Sequence, residues 1–266
     1  MKKYMSVLRM KFLNGMQYRV AALAGMATQF AWGGLLVLLY KAFYQSNPAQ
    51  FTMTMQETSS YIWIQQAFLM MFMSWRADNS IYELITDGSV AYELIRPMSV
   101  YSLWFARNMG LRLSGTLLRC VPVLIFASCL PAPYGIVLPD WGTALMFLVS
   151  MLLAANIAIA ITMLSYVMTF YTMSAQGVRI LFQTLCDVFT GSLIPLPFMP
   201  DAFQRIVKLL PFGYMQDVPL RVFSGNIAGQ EMLMQLLGQV IWLIILVIVG
   251  ELLMRRALKR VVVQGG

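Results

Sequence analysis

Residues 191–225 read GSLIPLPFMPDAFQRIVKLLPFGYMQDVPLRVFSG, and this stretch decides the fold. An apolar run reaches Ile194 and breaks on Pro195, Pro197 and Pro200. A short amphipathic piece follows, Asp201 to Leu210, and then Leu210-Pro211-Phe212-Gly213-Tyr214, Pro219 and Gly225. Proline removes a backbone donor and clashes inside a helix. A bilayer tolerates such broken backbone only at its interface, or where protein or water covers it. The stretch therefore predicts a helix that stops near one membrane face and a second piece that lies on that face or dips back into it.

Composition sets the solvent. The chain has 266 residues, 59% of them hydrophobic and 11% charged, with mean hydropathy +0.70. Soluble domains carry about 25% charged residues, so these proportions specify an integral membrane protein. The net charge of +8 is not a nucleic-acid signature, because the basic residues flank apolar segments as topology requires. Cys120, Cys129 and Cys186 lie in apolar stretches without a CxxC pair and read as small buried hydrophobes. The chain has no histidine, which removes His-based acid–base chemistry, Ser-His proteolysis and His metal sites.

A hydrocarbon core of about 30 Å takes roughly 20 apolar residues to cross. Six segments qualify: Val20–Phe43, Ser59–Trp75, Leu111–Leu130, Trp141–Thr169, Ile180–Leu196 and Leu236–Met254. The apolar run after Lys2 and Lys3 starts late and outlasts a signal-peptide core, so it reads as a retained span. Lys41, Arg205, Lys208 and Arg221 fall on one side and Arg119 within a span; every other basic residue lies on the side of the two termini. The positive-inside rule then places both termini in the cytoplasm and residues 191–225 on the external face. The loops near Gln45–Gln56 and Pro131–Asp140 leave no room for an external domain. Before the first span, Tyr4, Leu8, Phe12 and Met16 recur every four residues among basic ones, which predicts a helix on the inner membrane surface.

The longest cytoplasmic loop, Arg76–Asn108, reads as two short helices. Ser80-Ile81-Tyr82-Glu83 fits a capping box, Asp87-Gly88 ends the first helix, Val90–Ile95 forms the second, and Pro97 closes it. Two ionisable residues sit deep in spans. Arg119 lies about 10 Å beyond Arg112 and Asp187 about 12 Å beyond Arg179 along their helices. If Arg112 and Arg179 both mark the inner interface, the two charges share a depth, and either pair or line one polar cavity. Glu251 and Arg255 fit a local i,i+4 pair. Ala154, Ala155, Asn156, Ala158 and Ala160 give the fourth span a small-residue face for close packing, and Gly25, Gly33 and Gly34 offer the same in the first. No phosphate loop, HExxH motif or paired catalytic carboxylate set occurs, so the chain is not expected to be an enzyme.

Two regions resemble a known family. Ile85-Thr86-Asp87-Gly88-Ser89-Val90-Ala91-Tyr92-Glu93-Leu94-Ile95-Arg96-Pro97 is similar to the cytoplasmic segment of type-2 ABC exporter permeases, and Gly191…Pro195…Pro200…Leu210-Pro211-Phe212…Pro219…Gly225 to their re-entrant region between the fifth and sixth spans. The resemblance covers nearly the whole chain and is nearest to small bacterial permeases that work beside a second permease. It implies an all-α polytopic permease in one domain, residues 1–266, in the bacterial plasma membrane. It implies a second permease subunit, a heterodimer being favoured over a homodimer, and membrane lipid around both. It also implies a separate ATPase subunit that carries ATP and Mg, with no cofactor in this chain. Ile81, Glu83, Ile85, Asp87, Gly88, Glu93 and Arg96 would then form the coupling contact with the ATPase, and Gly191, Pro195, Pro200, Pro211 and Phe212 an external gate. The alternative is a stand-alone secondary transporter or channel, which broken helices and buried charges also suit. The lack of an internal repeat and a break at one end of the bundle favour the exporter subunit.

Overall fold

The computed structural model describes residues 2–46 and 51–259; Arg260 and part of the predicted loop at 45–56 lie outside them. Among the described residues the fold is all-α. Its helices are α1 (Lys2–Gly15), α2 (Arg19–Ser46), α3 (Met55–Ala67), α4 (Leu69–Phe72), α5 (Asn79–Thr86) and α6 (Ala91–Leu94), followed by α7 (Val100–Ser128), α8 (Trp141–Thr172), α9 (Ala175–Phe189), α10 (Asp201–Lys208), α11 (Pro211–Ser224) and α12 (Gly229–Leu258).

Helices α2, α7, α8 and α12 are each long and apolar enough to cross a membrane. They correspond to four of the six predicted spans. The second predicted span is two pieces, α3 and α4, broken at Phe68. The fifth is α9, which begins at Ala175 and ends at Phe189. Its 15 residues rise about 22 Å at 1.5 Å each, short of a core of about 30 Å. The chain is a multi-pass membrane protein whose second and fifth segments do not cross as single helices.

Helix α8 is the axis of the bundle. Ala154, Ala155, Ala158 and Ala160 are buried, so the small-residue face packs as predicted, against α11 and α12. Asp140 starts α8 by accepting the Gly142 and Thr143 amides at 2.9 and 3.1 Å. Gln239 of α12 fastens this layer: its amide nitrogen donates to the Tyr214 carbonyl at 2.9 Å, and its amide oxygen accepts from the Ser150 hydroxyl at 3.0 Å. On the outer face of α12, Leu237, Ile241, Ile244, Ile248 and Leu252 are exposed, as a lipid-facing surface requires.

Helix α1 forms as predicted and packs on α7, and the stripe of Tyr4, Leu8 and Phe12, with Met16 just beyond the helix, is half-buried. Gly110 permits this: a Cβ there would lie 2.6 Å from the Leu8 carbonyl oxygen. Met5, Met10 and Leu13 are the apolar residues of the outward face. In α2, Gly25 and Gly33 lie against Arg119 and Trp63, whereas Gly34 faces open space. Cys120 and Cys186 are buried as predicted; Cys129, at the end of α7, is exposed.

Candidate functional site: the two ends of the bundle

At one end, α5 and α6 stand on a buried lattice of charge. The Arg107 guanidinium, in the second turn of α7, donates to Asp78 Oδ2 through Nε at 3.0 Å, to Ser80 Oγ through Nη2 at 2.7 Å, and to Glu93 Oε1 through Nη1 at 3.0 Å. Lys11 of α1 reaches Asp78 at 2.9 Å. The other Glu93 oxygen accepts from the Trp104 indole. The Asp78 amide donates to Tyr166 Oη at 2.9 Å, and this hydroxyl donates to Asn108 Oδ1 at 3.1 Å. Burial by itself would raise the Asp78 carboxyl, but Arg107, then Lys11 and Ser80, outweigh it and hold it below the usual carboxylate range. Four segments, α1, α5, α6 and α7, thus meet on two acids and two bases. Such a mount is stiff, because each charge is both paired and hydrogen-bonded.

The predicted capping box at Ser80–Glu83 does not form. Helix α5 starts two residues earlier than that box requires, after Asp78, and Ser80 turns its hydroxyl to Asp78 Oδ1 at 2.7 Å. The Asp78 carboxylate, already held by Arg107 and Lys11, is the stronger acceptor for that hydroxyl. Gly88 ends the helix with φ +73°, the left-handed cap the sequence calls for. A capping box does occur at Thr54 and Glu57, at the start of α3.

At the other end, α11 runs antiparallel to α8. Phe223 packs on Phe147 near the start of α8, with ring centroids 5.0 Å apart. Met215 clusters with Ile157, Ala158 and Ile161, ten or more residues further along. At 1.5 Å per residue this sinks the start of α11 by about 15 Å, so the segment is re-entrant. Pro211 occupies the first turn of α11, where its missing donor is harmless, and Gly225 closes the helix with φ +78°. The chain reaches α11 through Gly191 at φ +79°, a turn of 3-10 helix at Leu196–Phe198, and the amphipathic α10. Phe189, the last residue of α9, stacks on Phe203 of α10 at 5.6 Å and on Phe212 of α11 at 5.8 Å.

Within this segment Asp217 is 3% exposed and accepts a hydrogen bond from Tyr61, which is 0% exposed, at 3.0 Å. Arg221 lies 3.8 Å from Asp217 and 3.6 Å from Glu231, and donates to Asn226 at 2.6 Å. A narrow cleft of about 30 Å³ lies between α10 and α11, with Gln204, Lys208, Asp217 and Arg221 on its walls. A Cβ on Gly191 would meet Leu196 N at 3.1 Å and Tyr61 Oη at 3.4 Å in a conformation unfavourable to side chains. Gly191→Ala is therefore expected to lower stability by about 1–2 kcal/mol, read as an earlier thermal midpoint; an unchanged midpoint would show that this turn is slack.

The ABC-2 family transporter model matches residues 30–265. The chain belongs to the ABC-2 transporter family. It is a membrane permease component of the ABC transporter type, and the family's role is transmembrane and not catalytic. A comparison with curated proteins returned no match.

On this ABC-2 permease the predicted residues separate by burial. Ile81, Ile85 and Glu93 point inward: Ile81 and Ile85 join the core under the loop, and Glu93 is held by Arg107 and Trp104. Glu83, Asp87, Gly88 and Arg96 are exposed. Tyr92, Leu94 and Ile95, which the sequence reading did not single out, are exposed beside them. Gly191, Pro195 and Pro211 are buried, Phe212 half-buried and Pro200 exposed. Arg119 and Asp187 do not meet in any ion pair among the described residues. Arg119 lies against α2, near the Ala21 carbonyl at 3.5 Å and Gly25, and contacts Met70 sulfur at 3.4 Å. Asp187 is hydrogen-bonded to Gln183, one turn earlier. The local Glu251–Arg255 pair does form.

Arg112, expected at the inner interface, lies inside the bundle. It is 0% exposed within the bundle. Its Nη1 donates to the Met71 and Met73 carbonyls at 2.7 and 3.0 Å, and its Nη2 to Thr162 at 3.0 Å. Arg112 caps the end of α4 and ties it to α8, which is how a helix can stop inside a membrane bundle.

Proposed function

We propose that the chain is the transmembrane subunit of an ATP-driven exporter, forming half of a substrate pathway beside a second permease and coupling to a separate ATPase through residues 76–108. The carrying observation is the tip of that loop. Tyr92 is 73% and Ile95 79% exposed, with Leu94 between them and Glu83, Asp87 and Arg96 around them. An exposed apolar tip rimmed by charge is the form of a docking contact, and the Asp78–Arg107–Glu93 lattice beneath it lets the tip transmit a push. The basic residues on the α5–α6 end support placing this end, with both termini, on the cytoplasmic side of a bacterial plasma membrane. The re-entrant α10–α11 segment then closes the pathway on the external side. A heterodimer with a related permease is the favoured assembly, and ATP and Mg belong to the ATPase.

The reading is tested by co-purifying an ABC ATPase with the tagged chain. Ile95→Asp is expected to reduce bound ATPase at least tenfold while the thermal midpoint of the chain stays within about 2 °C, since surface substitutions fall within about 0.5 kcal/mol. Undiminished ATPase in a Tyr92→Ala, Ile95→Asp double variant would defeat the coupling role.

A further inference from the structure

Half-way through the bundle, a groove of about 210 Å³ lies where the two short segments end. Thr28, Gln29 and Trp32 of α2, Gln65 and Gln66 at the end of α3, and Ser192 after α9 line it. None of these side chains is ionisable. Gln65 donates to the Ser192 carbonyl at 3.0 Å. Gln29 is 2% exposed, and neither its amide nitrogen nor its amide oxygen has a partner. Arg119 lies one turn away against Gly25 and does not line the groove.

An orphaned buried carboxamide is unfavourable in hydrocarbon, where no water can satisfy it, and a leucine of similar size would avoid the penalty. A bound group that both donates and accepts would complete it, because a primary amide carries both N–H donors and an acceptor oxygen. An anion would find amide donors but no cation among the lining residues, and a cation would find no carboxylate. Trp32 is 60% exposed and presents a flat apolar face at the mouth of the groove.

We propose that this groove binds the neutral, hydrogen-bonding headgroup of a transported amphiphile, one bearing hydroxyls or amides and no charge. The inference rests on the permease reading, and names the class of substrate for it. Gln29 supplies a donor and an acceptor, Gln66 and Thr28 further polar contacts, and the Trp32 indole a surface for the apolar side of the ligand. The break between α3 and α4 and the early end of α9 leave the room that unbroken helices would fill.

The test uses the full chain in phosphatidylcholine nanodiscs, titrated with octyl glucoside, N-octylacetamide or octyl phosphate, each below its micelle concentration. Tryptophan fluorescence is the readout, with Trp32→Phe identifying the signal. A saturable change with octyl glucoside, N-octylacetamide or both is expected, and octyl phosphate should bind at least tenfold more weakly. The glucoside and amide arms separate a sugar headgroup from a peptide-like one. Gln29→Leu is expected to weaken binding at least tenfold while leaving the thermal midpoint unchanged or higher. Equal binding by octyl phosphate, no saturable change, or binding indifferent to Gln29→Leu would overturn the proposal. Conversion of an oligomer to monomer by Gln29→Leu would also overturn it, by making the occupant a second copy. The assay contains no ATPase, so loss of headgroup binding with intact ATPase co-purification refutes this inference alone, and the reverse refutes only the coupling role.

Discussion

Arg107→Leu is expected to destabilise the permease by about 3–5 kcal/mol, the range for removing one partner of a buried ion pair. Asp78 and Glu93 both lose their guanidinium, and their side chains are only 10% and 8% exposed. Lys11 still faces Asp78 at 2.9 Å, so Glu93 is the more exposed to the loss of its partner charge. Thermal unfolding in a fixed detergent provides the measurement. Adding Glu93→Leu to Arg107→Leu is expected to recover part of the loss, because a well-packed apolar pair replaces a stranded acid. Strictly additive effects would mean that the lattice is not a unit. Loss of the lattice should also release the α5–α6 tip, so ATPase association should fall with it. Ile95→Asp, by contrast, should lower association without changing stability.

Arg112→Met carries the second large effect. The substitution removes a buried charge, but it orphans the Met71 carbonyl and takes a charged donor from the Met73 carbonyl and the Thr162 hydroxyl, which keep the Arg76 amide and the Ala158 carbonyl as partners. The unsatisfied carbonyl costs about 1–3 kcal/mol and each of the two other bonds to the charged guanidinium about 1.5 kcal/mol or more; relief of the buried charge offsets part of this, so a total loss of about 2–5 kcal/mol is expected. Arg112→Lys retains the charge but not the planar fork that reaches α4 and α8 together, and it is expected not to rescue. A wild-type midpoint in Arg112→Lys would show that charge alone holds the end of α4.

The main architecture was legible because its signals are local. Proline and glycine mark the break at 191–225, Gly88 takes the left-handed cap conformation, and the alanine face of α8 packs where its spacing puts it. The Arg119–Asp187 misreading has a plain cause: sequence gives depth along a helix but not direction around it. Arg119 and Asp187 were matched by depth alone, and Arg119 turns toward α2. Glu93 reads like any loop acid until Arg107, fourteen positions later, is seen to hold it. Phe68 carries no breaking signal in the sequence, and the end of α4 is set by an arginine on another helix. Asp217 escaped notice because it falls outside the counted spans, in a stretch whose depth only the packing against α8 reveals.

The meeting of α9 with α10 and α11 at Phe189, Phe203 and Phe212 is a seam between two stacked half-walls. A continuous helix can part only by breaking its own backbone hydrogen bonds. This seam can part sideways and break none of them. Its ring contacts are worth about 0.5–1.5 kcal/mol each, so the two contacts together resist separation by about 1–3 kcal/mol. A load applied at one end of the molecule would yield first along this line, opening a lateral slit at mid-depth while every helix kept its length.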